Sequence, residues 1–146
     1  MTKQLRPVLI WVSWVAGLLM VFAGIWALAA PASFVRDVGP FPPYNRHFVH
    51  DTGAFQAGLG AALLAGGAGW DGLTVGLLGF AVGSVLHEIS HVMDRHIGGH
   101  STDPAALAIF ALLGVVAATL AWRARPAPIG AVAPSDPATA RTTVEA

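Results

Sequence analysis

The sequence predicts an all-α fold: a bundle of four transmembrane helices followed by a short disordered C-terminal tail. Three observations carry that prediction. The 146 residues are 55% hydrophobic and only 11% charged, with mean hydropathy +0.63, whereas a soluble domain carries roughly 25% charged residues to solvate its surface. Four apolar stretches approach the about 20 residues that a helix needs to cross a hydrocarbon core about 30 Å thick. Proline, glycine and short polar segments punctuate the chain between them.

The first helix is expected at about residues 8–30. Val8 to Ala30 carries no charge, Lys3 and Arg6 precede it, and Pro31 ends it. A cleaved signal peptide is the rival reading, because Ala27-Leu28-Ala29 resembles a small-residue cleavage site. The run exceeds the about 7–15 residues of a signal core, and it holds the bulky Trp11, Trp14 and Trp26. A retained helix is the better reading.

The second helix is expected at about 45–69, with Asn45 as N-cap after the Pro42-Pro43 pair. Gly53, Ala54, Ala57, Gly58, Gly60, Ala61 and Ala62 give it a small-residue pattern that lets helix backbones approach closely in lipid. Such faces pack within one chain or between chains, so helix-mediated homo-oligomers or a membrane-protein partner fit the pattern. Gly69-Trp70-Asp71-Gly72 reads as a short turn with an interfacial tryptophan. The third helix follows at about 73–93, placing Gly79, Gly83, His87 and His91 on one ridge. The fourth is expected at about 105–122, after a cap and an initiating proline in Ser101-Thr102-Asp103-Pro104. Residues 1–125 then form one transmembrane domain. Residues 126–146, rich in Pro, Ala, Thr and Ser, form the tail.

The same composition excludes several functions. Formal net charge is zero, so no basic field attracts nucleic acid. Without cysteine, disulfides, thiolate metal sites and thiol catalysis are absent. The lipid bilayer is the one partner that composition requires. Lys3 and Arg6 before the first helix, with Arg123 and Arg125 after the fourth, orient a four-span protein with both termini and the tail cytoplasmic in the cell membrane.

All six histidines fall at the opposite end. His47 and His50 open the second helix, His87 and His91 close the third, and His96 and His100 follow in the loop, with Asp51, Glu88 and Asp94 among them. Ionisable groups near a span are costly and face a cavity or a partner. At about 100° per residue, His87, His91 and Asp94 share a stripe about 60° wide, and His47 and Asp51 share a face of the second helix. If the stripes face each other, His47, Asp51, His87 and His91 form a transition-metal site, with zinc or copper the expected ion. The alternative is a hydrogen-bonded polar network that caps helices and anchors a loop. Haem ligation by histidines on two helices ranks lower, because these lie near the end of the span.

His87-Glu88-Ile89-Ser90-His91 also matches H-E-x-x-H, in which glutamate is the general base of a zinc hydrolase. Only in that reading is Glu88 catalytic. It requires a third ligand, which the uncharged fourth helix from Ala105 to Ala121 does not provide.

Tyr44-Asn45-Arg46-His47-Phe48-Val49-His50-Asp51-Thr52-Gly53-Ala54 resembles a Y-N-x-H-x-x-x-D-x-G-A signature of small four-helix bacterial integral membrane proteins that are loosely DoxX-like. An H-x-x-x-H pair late in the third helix, here His87 and His91, belongs to the same resemblance, which covers roughly residues 8–122. It implies the four-helix architecture and the shared set His47, Asp51, His87 and His91. The position of Glu88 is often apolar in such proteins, which weighs against the hydrolase. The resemblance implies no established activity.

Overall fold

The computed structural model describes residues 2–126, with side chains from Gln4 onward. The expected disordered tail lies, from residue 127, outside the described residues. Five helices make up the rest: α1 (Thr2–Ala29), α2 (Pro31–Asp37), α3 (Arg46–Gly66), α4 (Trp70–Asp94) and α5 (Asp103–Ala124). Among the described residues there is no strand.

Local chemistry explains most of the boundaries. The residue before a proline is pushed away from helical torsions, and Ala30 sits at φ −141°, ψ 61°. Pro31 then opens α2, where its missing N–H costs nothing. One proline therefore stops one helix and starts another, and α2 is an element that the sequence pattern did not announce. Asn45 caps α3 as expected, its side chain accepting from the Phe48 N–H at 3.1 Å. Trp70-Asp71-Gly72, expected as a turn, is instead the first turn of α4. The bend lies just before it, where α3 ends at Gly66 and the extended Gly69 precedes the helix. A Cβ on Gly66 would lie 2.7 Å from the Gly72 carbonyl, so the junction closes only because both residues are small.

α3 packs between α1 and α4, and α5 packs along α4 and touches α1. The α1–α3 pair is antiparallel and joined by glycines: a Cβ on Gly17 would meet the Gly60 carbonyl at 2.9 Å, and one on Gly24 would meet the Gly53 carbonyl at 2.5 Å. Both pairs are seven residues apart on their helices, the spacing that keeps one seam facing a partner. Ser13 Oγ adds a buried 2.7 Å hydrogen bond to the Leu63 carbonyl across the same seam. The expected small-residue packing is thus realised at Gly53, Ala57 and Gly60. A methyl group on Gly58 would have no neighbour within 4 Å, and Ala54, Ala61 and Ala62 face outward.

Three helices, rather than the expected four, are long and apolar enough to cross a membrane among the described residues: Gln4–Ala29, Trp70–Asp94 and Asp103–Ala124. α3 has 21 residues, but Arg46, His47, His50, Asp51 and Gln56 crowd its first half and glycine and alanine dilute the rest. The three apolar helices expose Leu18, Phe22 and Ile25 on α1, Val75, Val82 and Leu86 on α4, and Ile109, Leu112 and Val116 on α5. An apolar surface of this extent belongs in lipid. The chain is a membrane protein.

Candidate functional site

The two ends of the bundle differ. Arg6, Trp11, Trp14, Trp70, Arg123 and Arg125 gather at one end, and the main buried core, built on Leu9, Leu63, Leu73, Leu77 and Phe80, lies on that side. At the other end the buried cluster shrinks to Ala27, Phe34 and Val49. A recess of about 650 Å³ opens there instead, within the usual range of about 300–1,000 Å³ for ligand pockets.

Two loops build the recess. The α2–α3 loop lays Phe41 against the α4–α5 loop, and the Gly99 N–H donates to the Pro40 carbonyl at 3.2 Å. A Cβ on Gly98 would collide with that carbonyl at 2.7 Å, and Gly99 sits at φ +83° under the Phe41 ring. A side chain is strained at that torsion, so glycine is required. Held in this way, Phe41 meets His91 edge to face, with ring centres 5.3 Å apart.

His91 is the centre of the polar wall. His87, one turn earlier on α4, packs against it with ring centres 4.8 Å apart. From the first turn of α5, Asp103 Oδ2 approaches His91 Nδ1 at 3.8 Å, longer than a hydrogen bond. The same oxygen accepts from the His100 backbone N–H at 2.7 Å, which holds the carboxylate in place. Thr52 and Gln56 of α3 and Ser90 and Asp94 of α4 complete the polar lining, and Phe34, Val38 and Phe48 supply an apolar side.

The expected site residues are therefore separated. His87 and His91 come together as their spacing requires. His47 and Asp51 also share a face, with Nε2 and Oδ2 3.5 Å apart, but their side chains are 87% and 56% exposed, against 15% and 18% for His91 and Asp103. Neither lines the recess. Spacing along a helix decides which residues share a face, not where that face points. Among the described residues, no three His, Asp or Glu side chains stand in metal-holding geometry.

Glu88 lies outside the recess lining, half-buried, with Oε2 buried and unpaired. Among the described residues Glu88 forms no ion pair with Arg95 or a histidine. Sequence reading missed Asp103 and Phe41. Asp103 had a legible signal: an eight-residue loop, Arg95–Thr102, returns the chain antiparallel, which sets the first turn of α5 beside the last turns of α4. Phe41 had none, since its position depends on the clasp between two loops.

Compared with known protein families, curated proteins and solved structures, the chain matches none.

Proposed function

We propose that this chain is a four-span membrane protein with both termini in the cytoplasm, and that it binds a small amphipathic molecule at its outward histidine end. The observation that carries the reading is the shielded His91–Asp103 pair, with His87 beside it, on the wall of a half-apolar recess. Pockets for small molecules combine an apolar lining with a few convergent polar groups. The apolar body of the ligand lies against Phe34, Val38 and Phe48, and its polar group meets His87, His91 and Asp103.

α3 serves as the fourth span. Its 21 residues extend about 32 Å, and packing against α1 and α4 covers much of its flank. Four spans put Lys3, Arg6, Arg123 and Arg125 on one side, the cytoplasmic one by the positive-inside rule. Kinship with DoxX-like proteins is part of the same proposal.

A transition-metal ion is the second reading. It is favoured by one observation, the two adjacent imidazoles with a carboxylate beside one of them, a donor set suited to zinc or copper. The hydrolase reading is weaker, because Glu88 does not line the recess.

Native mass spectrometry and metal analysis of detergent-purified protein separate these readings. The expected result is a retained small-molecule mass that His91→Ala and Asp103→Asn both remove. Stoichiometric metal lost in His87→Ala/His91→Ala would replace the first reading by the second. Folded protein that retains neither, and ignores added Zn²⁺ and Cu²⁺, would leave the polar network as purely structural. A reporter fused after Arg125 that proved extracytoplasmic would overturn the orientation.

A further inference from the structure

We propose that the opposite end of the bundle is a specific site for the headgroup phosphate of an anionic phospholipid. The inference is independent of any ligand in the histidine recess. Three arginines, Arg6 from α1 with Arg123 and Arg125 from the end of α5, surround a recess of about 760 Å³ whose walls include Trp11, Trp14 and Trp70. Among the described residues, no carboxylate lines it. The charge of the recess thus has no counter-charge in its walls among the described residues.

The arginines are arranged to receive oxygen. Arg125 stacks on Trp122 with its guanidinium carbon 3.5 Å from the ring centre, and Arg6 lies over Trp70 at 5.8 Å. Stacking uses the face of a guanidinium and leaves its N–H edge for oxygen acceptors, the geometry in which arginine binds phosphate. Arg6 gives the independent sign. Its Nε is buried with no hydrogen-bond partner among the described residues, an arrangement costly for a charged donor unless an acceptor is supplied. A phosphate oxygen in the recess is such an acceptor.

The surroundings select a lipid rather than a free ion. Tryptophan rings settle at the headgroup level of a bilayer, and here three of them wall a cationic recess at the ends of apolar helices. A phosphate that carries two acyl chains can place its headgroup among the arginines while its chains run down the exposed Trp11, Val15 and Leu18 of α1. Free phosphate gains only the first part of this.

Tryptophan emission reads the site, since Trp11, Trp14, Trp70 and Trp122 lie at this end. Full-length protein in a phosphate-free neutral detergent is titrated with short-chain phosphatidylglycerol, short-chain phosphatidylcholine or inorganic phosphate. The expected result is a saturable change with phosphatidylglycerol at least about tenfold tighter than with phosphatidylcholine, and none with inorganic phosphate over the same range. Each arginine near an anionic lipid contributes a factor of about five, so Arg125→Gln should weaken binding about fivefold and Arg6→Gln/Arg125→Gln about 25-fold. Arg6→Lys should retain most of it, and Arg36→Gln, at the other end, all of it. If Arg6→Gln does not fold, the exposed Arg123→Gln carries the test. Equal response to both lipids, or arginine variants that bind like the parent, would overturn the proposal. Saturation by inorganic phosphate alone would replace the lipid by a free anion and overturn it equally.

Discussion

The arginine end and the histidine end are built from the same four long helices, yet one is packed and the other hollow. At the arginine end, Leu9, Leu63, Leu73 and Leu77 are almost fully buried and interlock. At the histidine end, polar residues of α3 and α4 face a recess closed by α2, the α2–α3 loop and the first turns of α5. The difference teaches where each kind of stability resides. In lipid, helices gain little from apolar contact as such and hold together by close packing and buried hydrogen bonds. The packed end supplies that, while among the described residues buried unpaired polar atoms occur at both ends, Arg6 Nε at the packed one and Gln56 Oε1 and His50 Nε2 at the hollow one.

The largest expected effect tests the packed end. Leu77→Ala removes a side chain that is 0% exposed and should lower stability by about 2–5 kcal/mol, toward the lower end because lipid removes part of the transfer term. Thermal unfolding in detergent measures it. Gly24→Ala comes next, at about 1–3 kcal/mol, because its methyl would meet backbone of α3 at 2.5 Å and 2.6 Å. Gly58→Ala, in open space, should be neutral or stabilising by up to about 1 kcal/mol. If both glycines tolerate alanine alike, the seam is not what joins α1 to α3.

Ser13→Ala should cost about 0.5–1.5 kcal/mol for its buried hydrogen bond to Leu63. Truncation at the hollow end should cost less. Phe48→Ala, at a residue 68% exposed, should stay within about 0.5 kcal/mol, while weakening whatever ligand the recess retains. A loss as large as that of Leu77→Ala would show the recess to be a packed core after all.

The smallest effect concerns the exposed Arg36–Asp37 pair, joined by contacts of 2.7 Å and 2.8 Å. Hydrogen bonding to Arg36 lowers the Asp37 carboxyl below its usual range. A depressed carboxylate stabilises the fold above its ordinary pKa and loses that contribution as pH falls through the lowered one. Arg36→Gln should move the Asp37 titration upward, as NMR of its side chain would follow, with little change in thermal stability.

Much of this architecture was legible in sequence, for reasons that also mark where reading stops. Apolar length and Pro/Gly punctuation located the four long helices, and Asn45 announced its cap. The gathering of histidines at one end followed from counting spans. The His87/His91 contact followed from the helical repeat. The outward orientation of His47 and Asp51 did not, because α3 turns its Gly53/Gly60 face to α1 and carries those two residues with it. Gly17 and Gly24 of α1 share the seven-residue spacing of Gly53 and Gly60, a match present in the sequence that identifies the partner helix. The recess itself depends on Gly98 and Gly99 admitting Phe41, a contact between two loops that no local pattern encodes.

The glycine seam also bears on how the chain is made. On the proposed four-span topology, α3 is too polar to enter lipid readily by itself, but α1 is made before it and would be in place to receive it. With backbones close at Gly17/Gly60 and Gly24/Gly53, α1 would then act as an in-built insertion partner, the first two long helices entering as a hairpin. On that topology a defect at Gly24 would show as failed biogenesis, with α3 left outside the membrane, before any completed protein could be weighed for stability.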